Sequence, residues 1–415
     1  MLRTSATLIV DQSLLHIAAH GVRSLSLRKV TASVDRSTGS VFQTFTGRDE
    51  LLCAVLEEAV RRDGAWHRQW ASSLAGMRLD GPGLANIVAD YLIERARSAE
   101  PGAAVWQDAM FEGEAWPIAA ANAIAAGVAV QTAFWRDLLE SVEGGAALAE
   151  AIVTFGIMES AYATILHDDI AYRLLVRATT SALVEQAMGG GGAGGAGSSA
   201  VMEWADTQTR PVAPVAPAAP LAARLLHAAA TAIRQEGVAA LNLRRIATLA
   251  KASPSAIAYH FGDLDSFSDR AIEWALNSDI PPALRPWTTI PRQTGDQTVG
   301  ALAEMLDGAD PTPDAPYRSF YIGYARILAQ TCLLARHRPA LVRFVRQARF
   351  LEGAGIFHAS HGSWPAHWAL SRPRSSAFAI WVKGKALERA VALRAGWADD
   401  GSAVAIDRGL RVVIE

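Results

Sequence analysis

Cysteine, charge and runs of strongly apolar residues are what this sequence has least of. Its two cysteines, Cys53 and Cys332, stand in opposite halves of the chain and match no metal-ligand spacing. That excludes a disulfide framework and fits a reducing compartment. Only 19% of the residues are charged and the formal net charge is −2. Bulk attraction to nucleic acid is thereby excluded, so any such contact must come from a local patch or a single helix. The opening segment MLRTSATLIVDQSLLHIAAHG has no basic head or cleavage site, and Asp11 and His16 interrupt it. Export is therefore not expected. Between Ala115 and Trp135 no side chain carries a formal charge, but Ala, Gly, Asn122, Gln131 and Thr132 give too little hydrophobic drive for a membrane span. A buried helix with close-packed small residues is expected there, with no membrane association. No G-x-S-x-G, phosphate-binding glycine loop, dinucleotide fingerprint or paired carboxylates stands in a credible context. Neither an enzyme nor a cofactor is expected.

What is present is ample apolar material, 51% of 415 residues, enough for two to four cores. GGGGAGGAGSSA from Gly189 and PVAPVAPAAP from Pro211 mark 189–220 as a flexible linker with no packed helix or strand. As a coil it spans roughly 30 Å. The two sides of this linker share a repeat. Shifted by 216 positions without a gap, GVRSLSLRKVTASVDRSTGSVFQTFTGRD falls on GVAALNLRRIATLAKASPSAIAYHFGDLD, with eight identities in 29 that include Gly21/Gly237, Arg28/Arg244, Ser37/Ser253 and Phe45/Phe261. Two copies of one small fold are implied.

The residues describe that fold. Apolar stripes at helical spacing, Ile9, Val10 and Ile17 in the first copy and Leu225, Leu226, Ala229, Ala232 and Ile233 in the second, predict a first helix ended by Gly21 or Gly237 with positive φ. Ser26 and Asn242 then cap a second helix running to about Val34 or Ala250. Ser37 and Ser253 cap a third, and Pro254 suits its first turn. This is a helix-turn-helix pattern. In the third helix Val41/Phe45 and Ile257/Phe261 pack inward. The opposite face, Thr38, Gly39, Ser40, Gln43 and Thr44 in one copy and Ser255, Ala256, Tyr259 and His260 in the other, has the short polar and small groups that meet base edges in a major groove. Arg28 and Arg244 are in reach of a guanine edge or phosphate. Each head, 1–50 and 221–270, carries six Lys/Arg against four Asp/Glu. The expected partner is a double-stranded DNA operator, which points to a cytoplasmic, nucleoid-associated protein.

At these residues the chain resembles the tetracycline-repressor family of bacterial regulators, whose heads follow a pattern close to G-x-x-x-x-T-x-x-x-I-A-x-x-A-G-V-S-x-x-x-L-Y-x-H-F-x-x-K-x-x-L. LNLRRIATLAKASPSAIAYHFGDLDSF is the closer match, and LSLRKVTASVDRSTGSVFQTFTGRDELL follows it in spacing. The resemblance covers about 50 residues per half. It implies an all-α fold in which helix three enters the groove, the start of helix four holds phosphate, and each body, 51–188 and 271–415, is a helical effector and dimerisation domain that binds a small molecule. Three positions depart from the pattern: Asp35 and Lys251 replace the turn glycine, Arg48 and Leu264 the phosphate lysine, and Phe42 and Ala258 the tyrosine. Weaker DNA binding than is usual for the family is expected. The family pairs two subunits about one DNA turn apart, roughly 34 to 36 Å. Here one chain supplies both heads, so an intramolecular pseudo-dimer on an asymmetric operator is expected, with a homodimer of whole chains as the alternative. The rival expectation is a ligand-sensing or protein-interaction module whose degenerate heads no longer bind DNA.

Other features have a functional and a plain reading. Trp106, Phe111 and Trp135 in the first body, and Trp364, Trp368 and Trp381 in the second, are candidates for an effector pocket, although such residues are more often core. His358, His361 and His367 have H-x-x-H spacing, but Gly362 and Pro365 nearby predict a loop and no metal. Arg336, Arg338, Arg343, Arg346 and Arg349 have the spacing of a solvated helix face.

Overall fold

Prolines and short polar side chains start the helices of this chain, and helices are its regular elements among the described residues, an all-α fold. The computed structural model describes residues 5–33, 44–77, 79–188, 195–209, 217–309, 312, 318–397 and 401–413. In the first half these are α1 (Ser5–His20), α2 (Leu27–Ser33), α3 (Arg48–Leu74), α4 (Gly81–Arg97), α5 (Pro101–Phe111), α6 (Ala121–Leu138), α7 (Gly145–Leu166) and α8 (Ile170–Ala187). After α9 (Gly195–Gln208), the second half runs α10 (Pro220–Glu236), α11 (Leu243–Leu249), α12 (Pro254–Phe261), α13 (Leu264–Asn277), α14 (Gly295–Leu306), α15 (Phe320–Ala335), α16 (Pro339–Leu351), α17 (Ala354–Gly362), α18 (Arg372–Ala395) and α19 (Ser402–Val413). The starts have local causes. Asp80 Oδ1 accepts from the Gly83 amide at 2.7 Å to begin α4, Thr294 and Gln297 form a reciprocal capping box on α14, and Ser371 caps α18 ahead of Pro373.

The two halves share one apolar core. Its centre is a bundle of α7 and α8 with α18 and α19, two helices from each half, in which α7 is buried along most of its length. Close approach of α7 and α18 depends on Gly384: a Cβ there would lie 1.8 Å from the Thr154 carbonyl oxygen. A buried ion pair crosses the same boundary. Arg349 of α16 donates through Nε to Glu159 Oε1 on α7 at 2.8 Å and through Nη2 to Thr179 Oγ1 on α8 at 2.8 Å. Its side chain is 1% exposed and that of Glu159 is fully buried.

Three expectations are corrected. The 189–220 segment was expected to hold no packed helix, yet α9 lies within it, burying Met202 and Ala205 against α8 and α16. Those two residues and Val201 are the apolar side chains that the Gly- and Ala-rich composition of the segment obscures. His358 and His361, expected in a loop, sit on α17; no metal-holding cluster occurs among the described residues. Four of the five arginines read as a solvated face are anchored: Arg349 is buried, Arg336 donates to the Ala18 carbonyl, Arg338 holds Asp269 and Arg346 holds Asp169. By length and composition Ile118–Leu138 and Gly145–Leu166 are each apolar enough to cross a membrane, but the second is 83% buried inside the protein. Along α6 the expected close packing of a small residue is present at Gly127, where a Cβ would meet Trp106 Nε1 at 2.0 Å.

Gly384→Val should lower stability by about 1–3 kcal/mol or more, because overpacked atoms must push two core helices apart. Gly323→Ala on α15, where an added Cβ meets nothing within 4 Å, should leave stability unchanged or raise it by up to about 1 kcal/mol through helix propensity. Urea unfolding of the two variants checks the contrast, and equal effects would contradict the close-approach argument.

Candidate nucleic-acid interface and ligand cavity

Between Pro220 and Asn277, the region of head two, the chain forms α10, α11, α12 and α13. Ala229, Ala232 and Ile233 of α10 are buried, and α10 stops at Gly237, whose φ of +84° disfavours side-chain-bearing residues. A short 3-10 turn, Val238–Ala240, intervenes before α11. Asn242 then caps α11, its Oδ1 accepting from the amides of Arg244 at 3.0 Å and Arg245 at 3.2 Å. Lys251, in the turn, has φ +51°, the conformation for which a glycine is better suited. On α12 Ile257 is 1% exposed and the Phe261 ring stacks edge-on with Phe267 at 5.0 Å. Ser253, Pro254, Ser255, Ala258 and Tyr259 face outward, Tyr259 with 86% of its surface free. Arg244 and Lys251 are exposed on the same small domain, and His260 is half-buried beside Tyr259.

Two assignments on this head are revised. Ala256 packs against the core, and Ala258 takes its place on the outer face, because the helix turns 100° per residue and Ile257 already points inward. Ser253 stands at the cap position, but its hydroxyl contacts Ser255 Oγ at 2.8 Å in place of a backbone amide. The start of α13 is acidic: Asp263 caps it by accepting from the Ser266 amide at 2.6 Å, and Asp265 and Asp269 follow. The backbone bond holds the Asp263 carboxyl below its usual range, so it is ionised at neutral pH.

In head one α1 ends at Gly21, with φ +76°, and Arg28 and Lys29 are exposed at the front of α2. Ser26 is half-buried just ahead of that helix. Ser37, Thr38, Gly39, Ser40, Phe42 and Gln43 lie outside the described residues. Thr44 is in an exposed turn, not on a helix. Arg48, expected to hold phosphate, directs its guanidinium to the Val22 carbonyl at 3.3 Å.

Both heads are tied to the bodies at equivalent points. The Val22 amide donates to Asp108 Oδ2 on α5 at 3.3 Å, and the Val238 amide donates to Gln330 Oε1 on α15 at 2.8 Å. Gln330 Nε2 continues to the Phe111 carbonyl of the first half at 3.2 Å. Near the same end, Arg336 reaches the carbonyl of Ala18 on α1, and Arg326 pairs with Glu114 at 2.5 Å. The helix α15 therefore touches both heads. Val22 and Val238 are 216 apart like the rest of the repeat, but Asp108 and Gln330 differ in type and spacing, so no ungapped comparison finds them.

A cavity of about 600 Å³ opens in the second body. Trp274 of α13, Tyr321 and Tyr324 of α15, Phe344 of α16, Glu352 and Lys383 of α18 line it. Glu352 accepts from the first half's Tyr162 hydroxyl at 2.5 Å and from Lys383 Nζ, which lies 5.3 Å from the Tyr324 ring centre. The candidate pocket residues Trp106, Phe111, Trp135, Trp364, Trp368 and Trp381 do not line this cavity. Trp106, Phe111, Trp135, Trp364 and Trp381 are buried core, and Trp368 is half-buried on a surface turn against Gly295. The cavity's own aromatics Trp274, Tyr321, Tyr324 and Phe344 are dispersed over three helices, so no local cluster in the sequence marks them.

In the first body the aromatic rings between α3, α4 and α6 pack on one another, beside a smaller cavity of about 340 Å³ lined by Trp66, Trp70, Glu94 and Arg97. Tyr91 stacks on Phe134 at 5.8 Å and meets Trp135 edge-on at 5.1 Å, while Trp66 and His67 close the sides. Arg95 binds Asp63 at 2.7 Å and Gln131 at 2.9 Å. His67 donates from Nδ1 to the Asp63 carbonyl at 2.7 Å and accepts the Tyr91 hydroxyl at Nε2 at 2.8 Å. Burial pushes its pKa down to about 4, so the ring stays neutral. No protein-family model matches this chain, and no curated protein matches it.

Burial also raises Asp108 to about 7, against the Trp116 indole and Val22 amide that donate to it. A raised folded value means its contribution is complete below about pH 4 and is lost as pH rises toward 7. For His67 the depressed value works the other way: its contribution is complete above about 6.5 and is lost as pH falls toward 4. Over this window the two oppose. Asp108→Asn should therefore make stability climb more steeply with pH between 4 and 7, by up to about 1.4 kcal/mol per pH unit. Urea titrations at several pH values read this slope; an unchanged slope would remove Asp108 from the linkage.

Proposed function

We propose that this chain is a ligand-responsive DNA-binding transcriptional regulator of the tetracycline-repressor kind, acting as a repressor with two non-identical reading helices in one polypeptide. The observation that carries the proposal is head two: α12 turns Ile257 and Phe261 inward and leaves Ser255, Ala258 and Tyr259 outward, beside the exposed Arg244. A short helix with such a face and a cation at the preceding helix start fits a major groove. The 216-residue repeat extends the reading to head one, where Arg28 holds the equivalent position. The bundle of α7, α8, α18 and α19 supports an intramolecular pseudo-dimer, since it joins like helices of the two halves as a subunit interface does. The cavity between α13, α15, α16 and α18 supports an effector site, because α13 is the helix that follows α12.

A second reading has one observation in its favour. Asp263, Asp265 and Asp269 occupy the first turns of α13, where an approaching phosphate meets negative charge. On that reading head two has lost its affinity and the chain is a sensor or interaction module.

Genomic fragments captured by the purified chain, followed by gel shifts on a recovered fragment, test the proposal. The expected site lacks twofold symmetry, and affinity falls steeply with salt. Arg28→Ala and Arg244→Ala should each weaken binding by roughly tenfold or more, corresponding to about 1–3 kcal/mol. Loss of binding with Arg28→Ala alone favours the second reading for head two. No captured fragment even at low salt overturns DNA binding altogether, and two chains on one operator turn by light scattering overturn the pseudo-dimer.

A further inference from the structure

The cavity in the second body carries information about what it binds. Four charged side chains line it, and they form two opposite pairs: Lys383 with Glu352 at the floor and Arg270 with Glu273, at 3.0 Å, along α13. No lining charge is left to balance a charged ligand, and an uncompensated ion in such a site is costly. Among the residues that line the cavity, two buried polar atoms have no hydrogen-bond partner. Trp274 Nε1 and Tyr321 Oη are both buried without a hydrogen-bond partner, and Tyr321 as a whole is 3% exposed. An indole N–H can only donate. Burial pushes the Tyr321 hydroxyl up, so it keeps its proton and can donate as well. Leaving such groups unpaired is costly, and an acceptor oxygen on a ligand would recover that cost. Around them, Tyr324, Phe344 and Trp287 offer ring faces. The volume, about 600 Å³, is that of a site for a whole small molecule.

We propose that the protein binds one uncharged, ring-bearing carbonyl or hydroxyl compound per chain, in the second body only, with its oxygen accepting from Trp274 Nε1 and Tyr321 Oη. The first body takes none: its cavity between α3 and α4 is about half as large and has no unpaired buried donor, while Tyr91, Phe134 and Trp135 pack on one another and Arg95, Asp63, Gln131 and His67 satisfy one another. One occupied site addresses both heads through α15. Tyr321 lies at the start of that helix, and at its other end Gln330 bonds the Val238 amide and the Phe111 carbonyl while Arg336 bonds the Ala18 carbonyl. This regulatory consequence rests on the two-headed reading above, whereas the binding itself does not.

Calorimetric titration of the full chain with three neutral ring ketones, flavone, progesterone and benzophenone, measures stoichiometry and affinity. For the best binder, an acceptor-free hydrocarbon and a carboxylate of matching shape serve as comparisons. The expected result is one site per chain, with the ketone held at least tenfold tighter than either comparison. Tyr321→Phe, which removes one oxygen and little else, and Trp274→Phe should each weaken the ketone several-fold without changing the hydrocarbon. Two sites per chain, preference for the carboxylate, insensitivity to both variants, or no binding by any ketone at its solubility limit would overturn the inference. A gel shift on the captured DNA with and without the best ketone separates this inference from the regulator reading. One-site binding in a chain that captures no DNA leaves the ligand inference standing and removes the regulator. DNA binding together with any of the overturning titrations does the reverse.

Discussion

The ion pair between Arg349 and Glu159 is the contact around which the two halves are organised. A guanidinium and a carboxylate removed from water cost several kcal/mol each unless they find one another and fill their remaining hydrogen bonds. Arg349 comes from the second half; its partners Glu159 and Thr179 come from the first. Each half supplies one member of the pair, so these bonds form only when α7, α8 and α16 are assembled, and Glu159 Oε2 has no hydrogen-bond partner even then. Apolar packing around them supplies most of the stabilisation, and Gly384 lets α18 lie close enough against α7 for that packing to close. The charges supply register. Apolar surfaces alone permit sliding, whereas a buried pair fits in one arrangement.

That shared core brings the attachments of both heads to one place. Asp108 and Gln330 perform the same task, accepting the amide of the residue after a positive-φ glycine, on helices that touch each other near the pseudo-equivalent centre of the molecule. They differ in chemistry. A carboxylate titrates and a carboxamide does not, so of these two equivalent contacts only the one at Asp108 depends on pH. Gln330 instead uses its second polar atom to reach the other half at Phe111. The duplicated parts have kept a geometry while changing the groups that make it.

The helices of residues 220–261 were legible in the sequence because each is set by neighbours along the chain. Leu225, Ala229 and Ile233 show the helical stripe, Gly237 the stop, Asn242 the cap and Ile257 with Phe261 the inward face, each relation spanning a turn or two. The bodies were not legible in the same way. Arg349 meets Glu159 across 190 positions and Gln330 meets Phe111 across 219, and no local period encodes such pairs. Composition misled at α9, since Gly- and Ala-rich sequence reads as a linker although Met202 and Ala205 find a groove to bury in. It misled again with the tryptophans. Large aromatics are equally suited to filling a core and to lining a void, and what separates Trp135 from Trp274 is whether the neighbouring helices close over it.

The difference between the two bodies follows from the same rule about buried polar groups. In the first body every polar atom of the Arg95, Asp63, Gln131 and His67 group has a partner, so the interior gains nothing from a guest and would lose hydrogen bonds by opening. In the second, the charges are paired but Trp274 Nε1 and Tyr321 Oη are not, and shorter helices leave the space beside them unfilled. Unpaired buried donors destabilise the empty state and are relieved by an acceptor. The two unpaired groups of the cavity thus lie on helices α13 and α15 of the second body. Since α15 is also bonded to Val238 and to Ala18, one helix lines the cavity and holds both N-terminal helical segments.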